Sequence, residues 1–215
     1  MADSSSRAGE RYAAPEILDY VAKVHASHDE GLARAFAVPE GVPAIMLGPS
    51  EGRLLQLLAR LAGVRKAVEV GTLVGYSATQ LARGMDPSGH LWTIESDAHH
   101  AEVARGNLQA AGVGERVTVL HGGALTVLPT LAQHAPFDLV FIDADKENYP
   151  HYAAWGLEHL RQGGLLLGDN AFLFGNLLEL GGRGPAMRAF HEMVADRCDS
   201  VCIPTPDGLV LGVKR

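Results

Sequence analysis

The sequence has little of what marks a secreted, membrane-spanning or nucleic-acid-coating protein. Only two of its 215 residues are cysteines, Cys198 and Cys202, which cannot form a disulfide framework and fit a reducing cytoplasm. No apolar run approaches the ~18 residues that a membrane span requires, and residues 1–15 lack the apolar core of a secretory signal. The formal net charge of −7 at pH 7 argues against a broad basic surface for nucleic acid. We therefore expect a cytoplasmic protein that binds no membrane.

The rest of the composition is that of an ordinary globular chain. Hydrophobic residues make up 47% and charged residues 20% of the sequence, which excludes an intrinsically disordered chain. We predict a flexible tail over residues 1–14 and a single domain over residues 15–215. Within that domain, residues 15–63 are expected to form an N-terminal helical region and residues 64–215 the core sheet.

Short apolar strands alternate with helical segments through the core region. The predicted strands cover residues 67–70, 91–94, 117–120, 137–142, 165–167, 200–203 and 209–213. Such alternation is typical of a parallel sheet with helices on both faces. The last two strands are joined by only a short turn, so they must pair antiparallel. The predicted fold class is therefore α/β and Rossmann-like, with a mostly parallel seven-stranded sheet that ends in an antiparallel C-terminal hairpin.

The carboxyl ends of the predicted strands carry the most informative polar residues, because ligands of open α/β sheets bind beyond those ends. These residues are Glu69 with Gly71, Glu95, Gly123, Asp143, and Asp169 with Asn170. Gly71 opens a turn whose helix-start amides can donate to a ligand, and Glu95 is placed to accept both hydroxyls of a ribose. This combination indicates an adenosine-containing ligand. It does not choose between a nicotinamide cofactor and S-adenosylmethionine.

Oxygen donors dominate the ends of two strands that follow one another in the core region. Asp143 ends one of them, and Asp169 with Asn170 ends the next. Two carboxylates and an amide suit a hard cation such as Mg²⁺, Mn²⁺ or Ca²⁺ and do not suit zinc. The sequence therefore predicts a divalent-cation site formed by these three residues.

Three segments together carry a resemblance to a known family. They are Glu-Val-Gly-Thr-Leu-Val-Gly-Tyr-Ser at residues 69–77, Phe-Ile-Asp-Ala-Asp-Lys at residues 141–146 and Gly-Asp-Asn at residues 168–170. From about residue 15 to its end the chain resembles the cation-dependent S-adenosylmethionine O-methyltransferases, the caffeoyl-CoA and catechol O-methyltransferase-like family. The predicted sheet likewise resembles that of class I methyltransferases, whereas a dehydrogenase sheet lacks the hairpin.

The resemblance implies a set of site residues. The S-adenosylmethionine pocket would be lined by Leu47, Glu69, Gly71, Thr72, Ser77, Glu95, Ala124 and Asp143, with Glu95 on the ribose. The metal ligands would be Asp143, Asp169 and Asn170, and the catalytic residues Lys146 and Asp143. A catechol-like small molecule would chelate the cation and be methylated on one hydroxyl, with Lys146 either taking the proton or stabilising the oxyanion. The resemblance further implies a homodimer, which we expect to use apolar helix faces.

Differences from the plant members of that family narrow the range of expected acceptors. Plant enzymes carry Trp-Asn after the Asp-Asn pair, where this chain has Ala171 and Phe172. The missing polar contact argues against caffeoyl-CoA as the acceptor. The short N-terminal region resembles the bacterial branch of the family.

Three other functions stay open from the sequence. The first is a tRNA hydroxyuridine O-methyltransferase of the same fold family, which would use a local basic face around Arg53, Arg60, Arg65 and Lys66. The second is a nicotinamide-dependent dehydrogenase, against which the missing G-x-G-x-x-G and the terminal hairpin weigh. The third is a non-catalytic binding protein, which a complete set of metal ligands disfavours.

Overall fold

A computed structural model describes residues 13–215 of the chain. The α-helices in that range are α1 (Pro15–His25), α2 (Glu30–Phe36), α3 (Pro49–Leu61), α4 (Tyr76–Gly84), α5 (Ala98–Ala110), α6 (Ala124–Leu131), α7 (Tyr149–His159) and α8 (Gly184–Arg197). The strands are β1 (Lys66–Val70), β2 (His90–Glu95), β3 (Val117–His121), β4 (Phe137–Ile142), β5 (Leu160–Gly168), β6 (Cys198–Ile203) and β7 (Leu209–Lys214). The flexible tail predicted for residues 1–14 lies outside the described residues except for its last two. No helix among the described residues is long and apolar enough to cross a membrane.

The described strands form one sheet in the order β3-β2-β1-β4-β5-β7-β6. Strands β1 to β5 pair parallel with their neighbours, whereas β7 pairs antiparallel with both β5 and β6. The predicted fold class, including the antiparallel hairpin at the C-terminus, is confirmed. A connection as short as residues 204–208 cannot return the chain to the same end of the sheet, so β7 runs back beside β6.

Strand β5 is longer than the sequence predicts, because it begins at Leu160 rather than at residue 165. Leu160 pairs with Phe137, and the register between β4 and β5 then shifts before Leu139. Gly163, with a φ of 72°, lies in the irregular stretch. An irregularity of this kind interrupts the alternation of side chains, which is why the apolar pattern of the sequence reveals only the second half of the strand.

The central strands are covered on both faces. In β4, Leu139 and Phe141 belong to one apolar layer together with residues of α3, α4 and α5. Val140 and Ile142 belong to the opposite layer together with residues of α6, α7 and α8. All four side chains are fully buried, and burying each contributes about 1.5–3 kcal/mol relative to leaving it exposed. Because this core fixes β4 between β1 and β5, it also fixes the residues that follow their carboxyl ends.

The N-terminal helical region brings one more segment over the same edge of the sheet. Helix α3 begins after Gly48, whose backbone N–H donates to Glu51 Oε2 at 2.9 Å. This capping contact satisfies a backbone donor that the helix itself leaves free. It also fixes where residues 43–47 enter the helix, and Leu47 is thereby held in a buried position beside the carboxyl ends of the strands.

Candidate active site

A cavity of about 800 Å³ lies at the carboxyl ends of β1, β2 and β4. The predicted site residues that line it are Leu47, Gly71, Thr72, Ser77, Glu95, Ala124, Asp143, Lys146 and Asn170. The structure therefore brings together residues that are more than 120 positions apart in the chain. Two predicted residues, Glu69 and Asp169, do not line the cavity and are buried beside it.

Gly71 follows β1 with a φ of 98°, a conformation that glycine adopts at little cost. A side chain at this position would overlap the backbone carbonyl of Asp143. The neighbouring strand end is tied to the same place, because Asp143 N donates to Val70 O at 2.8 Å. The group packed against Gly71 in this structure is therefore the backbone after β4. Gly71 thus fixes the position of the turn after β1 relative to Asp143.

Glu95 ends β2 and presents its carboxylate to the turn after β1. Its Oε2 accepts the backbone N–H groups of Thr72 at 3.2 Å and Leu73 at 2.8 Å, and its Oε1 accepts that of Asp97 at 2.9 Å. The Ser96 hydroxyl also lies 3.5 Å from Oε1, and Glu95 lines the cavity. Glu95 therefore holds the shape of the turn, a role that the sequence did not reveal, and still faces the space predicted for the ribose.

We expect Glu95→Ala to weaken S-adenosylmethionine binding by about 1–3 kcal/mol, because ligand hydroxyls and backbone amides would lose their acceptor. Isothermal titration calorimetry measures the change. Glu102→Ala is the matched control, because Glu102 lies exposed on the following helix α5. Affinity equal to that of the Glu102 variant would remove Glu95 from the cofactor site.

Glu69 lies beneath the turn and away from the cavity. Its Oε2 accepts from Thr93 Oγ1 at 2.5 Å, and the Thr93 hydroxyl is also hydrogen-bonded to Thr72 Oγ1 at 2.5 Å. Complete burial raises the pKa of Glu69 to about 8, because the charged form is poorly solvated there. Glu69 thus supports the Thr72 turn from below.

Lys146 is buried between the end of β4 and the start of α7. Its Nζ donates to Asp143 Oδ1 at 3.1 Å and to the Tyr149 hydroxyl at 2.8 Å. That hydroxyl lies 2.9 Å from the carbonyl oxygen of Asp169, to which it can donate. Burial raises the pKa of Tyr149 well above its usual value, so the hydroxyl stays protonated and neutral. Tyr149 was missed from the sequence, although its position three residues after Lys146 would have been a usable signal.

The three predicted metal ligands follow the ends of neighbouring strands β4 and β5. Asp169 is almost fully buried, and its Oδ1 has no hydrogen-bond partner among the described residues. Burial first, and then the charge of Asp143, raise the pKa of Asp169 well above its usual range. Asn170 adopts a left-handed φ of 52° and lines the cavity.

These observations fit a divalent cation. A cation would satisfy the unpartnered oxygen of Asp169 and offset the repulsion between its carboxylate and that of Asp143. Residues 13–215 contain no group of three or more His, Cys, Asp or Glu side chains placed to hold a metal ion. A cation at this site would therefore depend on the Asn170 amide as its third protein ligand, as the sequence predicts.

The sheet order, the terminal hairpin and the cavity beyond β1 and β2 define a class I methyltransferase, the class that takes its methyl group from S-adenosylmethionine. The model of the O-methyltransferase family matches residues 25–215. The chain belongs to that family, which confirms the resemblance and excludes a nicotinamide-dependent dehydrogenase.

Individual relatives of the chain are also named as O-methyltransferases. The catechol O-methyltransferase of Mycobacterium tuberculosis is 43% identical over 166 residues, which cover 76% of this chain and 75% of the relative. An O-methyltransferase from Bacillus cereus, solved in complex with SAH, superposes with a TM-score of 0.88 at 34% identity and covers 93% of this chain and 97% of its own. The Streptomyces achromogenes O-methyltransferase TomG, solved with SAM, gives a TM-score of 0.86 at 36% identity over 93% of this chain and 96% of its own.

Proposed function

We propose that this O-methyltransferase moves the methyl group of S-adenosylmethionine to one hydroxyl of a catechol-like small molecule in a reaction that depends on Mg²⁺ or a similar divalent cation. The observation that carries the proposal is the position of Asp143. Asp143 lines the cavity, and its carboxylate is hydrogen-bonded to Lys146. Asp143 follows β4, and Asp169 and Asn170 follow the neighbouring strand β5. The groups to which we assign cofactor binding, proton transfer and cation binding therefore meet at Asp143.

Asp143, Asp169 and Asn170 would hold the cation, which would leave coordination sites for the hydroxyls of the acceptor. When bound, such an ion favours the ionised form of a nearby hydroxyl and orients it. Lys146 lines the cavity beside Asp143, and we assign to it the proton of that hydroxyl. Its Nζ takes the proton as a neutral amine or stabilises the oxyanion as a cation.

The mouth of the cavity suits the ring of an aromatic acceptor. Ile45, Leu125 and Phe174 line the cavity and are also exposed to solvent. An apolar rim around a few polar groups is typical of small-molecule sites. The neighbouring Leu173 is buried in the core, so only Phe174 of this pair is available to contact an acceptor.

The proposed function is tested by a methyl-transfer screen with radiolabelled S-adenosylmethionine. Simple catechols, flavonoids and hydroxyuridine-containing tRNA are offered in parallel, each with and without Mg²⁺. Catechols should be methylated in the presence of Mg²⁺. Methylation of tRNA alone would replace the proposed function with the RNA alternative that the sequence left open.

We also propose that the enzyme is a homodimer. Helix α1 buries none of its residues, and Ile17, Leu18, Val21 and Val24 lie exposed along it. Exposed apolar residues on one helix are typical of a surface that a symmetric partner covers.

Light scattering at micromolar concentration should give twice the chain mass of 22.8 kDa. The double variant Leu18→Glu with Val21→Glu should shift the protein toward monomer, because it places charges in the apolar interface. The double variant Glu16→Gln with Asp19→Asn is the control on the same helix. A wild-type monomer at that concentration would contradict the proposal.

A further inference from the structure

The turn between β6 and β7 crosses over the segment that follows the proposed metal ligands. Two of the contacts are between backbones: Ala171 N donates to Gly208 O at 2.9 Å, and Phe172 N donates to Asp207 O at 2.8 Å. A third comes from a side chain, because Asp207 Oδ1 accepts the backbone N–H of Phe174 at 2.8 Å. The hairpin at the end of the chain thus holds residues 171–174 at three points.

The held segment has a strained backbone. Asn170, Leu173 and Phe174 all have φ values near 52°, a left-handed conformation that is unfavourable for residues with bulky side chains. Such a conformation persists only where surrounding contacts enforce it. Within the segment itself, Leu173 N donates to Asn170 O at 2.8 Å and closes a turn. The contact with Asp207 fixes the other end of that turn, at Phe174.

The Asp207 carboxylate keeps this contact in spite of an unfavourable environment. Its second oxygen, Oδ2, is buried and has no hydrogen-bond partner among the described residues. A buried carboxylate oxygen without a partner destabilises the fold, so its retention calls for an explanation. The segment that Asp207 holds offers such an explanation, because both Asn170 and Phe174 line the cavity. We place both residues on the side of the acceptor.

We propose that Asp207 is a positioning residue for the methyl acceptor. By holding Phe174 N it would maintain the left-handed turn that keeps Asn170 available as a cation ligand and Phe174 at the mouth of the cavity. This inference rests on the proposed function, since it assigns Asn170 and Phe174 to the acceptor. Asp207 itself is separated from the cofactor cavity and does not line it, so cofactor binding should not depend on it.

Asp207→Ala tests the inference. We expect the KM for a catechol acceptor to rise roughly 10-fold to 100-fold, the equivalent of one hydrogen bond to a charged group. The S-adenosylmethionine affinity measured by calorimetry should stay unchanged. Asp207→Asn should restore the KM, because an amide oxygen can still accept from Phe174 N. The control is Asp86→Ala, which removes a carboxylate that accepts the Ser88 N–H at 2.9 Å at the opposite end of the sheet.

A second variant covers the case in which Asp207→Ala does not fold. Gly208 has a φ of 77°, and a side chain there would press on the Phe172 ring at 2.8 Å. Gly208→Ala therefore displaces the same segment without removing the carboxylate, and it should raise the KM in the same way.

A binding measurement separates this inference from the proposed function. The absorbance of 4-nitrocatechol is titrated with each protein in the presence of Mn²⁺ and S-adenosylhomocysteine, without turnover. If the wild type binds the probe and Asp207→Ala binds it equally well, the positioning role is overturned while the proposed function stands. If the wild type neither binds the probe nor methylates catechols, the proposed function fails and the inference falls with it. Equal loss of probe and cofactor affinity in Asp207→Ala would show a general structural role and would also overturn the inference.

Discussion

With Lys146 replaced by methionine, kcat for catechol methylation is expected to fall by about 10²–10⁴-fold, the usual contribution of a positioned proton-transfer group. S-Adenosylmethionine affinity should change little, because methionine keeps an unbranched apolar chain and removes the amino group that contacts Asp143 and Tyr149. Stopped-assay kinetics and calorimetry measure the two quantities. Lys66→Met is the control, since Lys66 lies exposed at the opposite end of β1.

Lys146→Arg separates the two roles that the geometry allows. Arginine stays charged at any working pH and cannot take up a proton. Activity that survives in Lys146→Arg but not in Lys146→Met would assign the charge a role in stabilising the oxyanion. Loss of activity in both variants would favour proton removal by the neutral amine. Full activity in Lys146→Met would contradict both roles and leave Lys146 as a structural partner of Asp143 and Tyr149.

The strand ends were predictable because the core strands are short and apolar and each stops at a polar residue. Asp143 and Asp169 follow fully apolar stretches, and neighbouring parallel strands bring their ends to one edge of the sheet. Glu69 differs from them, because it lies within β1, one residue before the strand ends. A residue type at a strand end does not show which way its side chain points, and Glu69 points into the core toward Thr93.

Contacts between distant parts of the chain could not be predicted from the sequence. Asp207 and Phe174 are 33 residues apart, and no local pattern marks a hydrogen bond between a hairpin and a loop. The left-handed backbone at Leu173 and Phe174 was equally hidden, because leucine and phenylalanine rarely adopt it. Tyr149 was predictable only in part. Its spacing from Lys146 can be read from the sequence, but its contact with the Asp169 carbonyl oxygen depends on the pairing of β4 with β5.

The second large effect concerns the cation. Removing divalent metal with EDTA should abolish methylation of a catechol and leave S-adenosylmethionine binding nearly intact, because the proposed ligands and the Glu95 contacts occupy different strand ends. Mg²⁺ or Mn²⁺ should restore turnover. Since burial and the charge of Asp143 raise the pKa of Asp169, a proton competes with the cation for that carboxylate. Metal affinity should therefore increase as the pH rises toward the pKa of Asp169 and level off above it.

Asp169→Ala should reproduce chelation, and added metal should rescue it poorly because a charged ligand with a buried, unpartnered oxygen is gone. Activity, metal affinity by calorimetry and cofactor affinity are measured together, so that a general loss of structure is recognised by a fall in all three. Asp199→Asn is the matched control, because Asp199 is exposed on edge strand β6. Full activity in EDTA, with the protein shown to be metal-free, would contradict a cation-dependent reaction. Asp143 would then act through Lys146 alone, and the buried carboxylate of Asp169 would need another explanation.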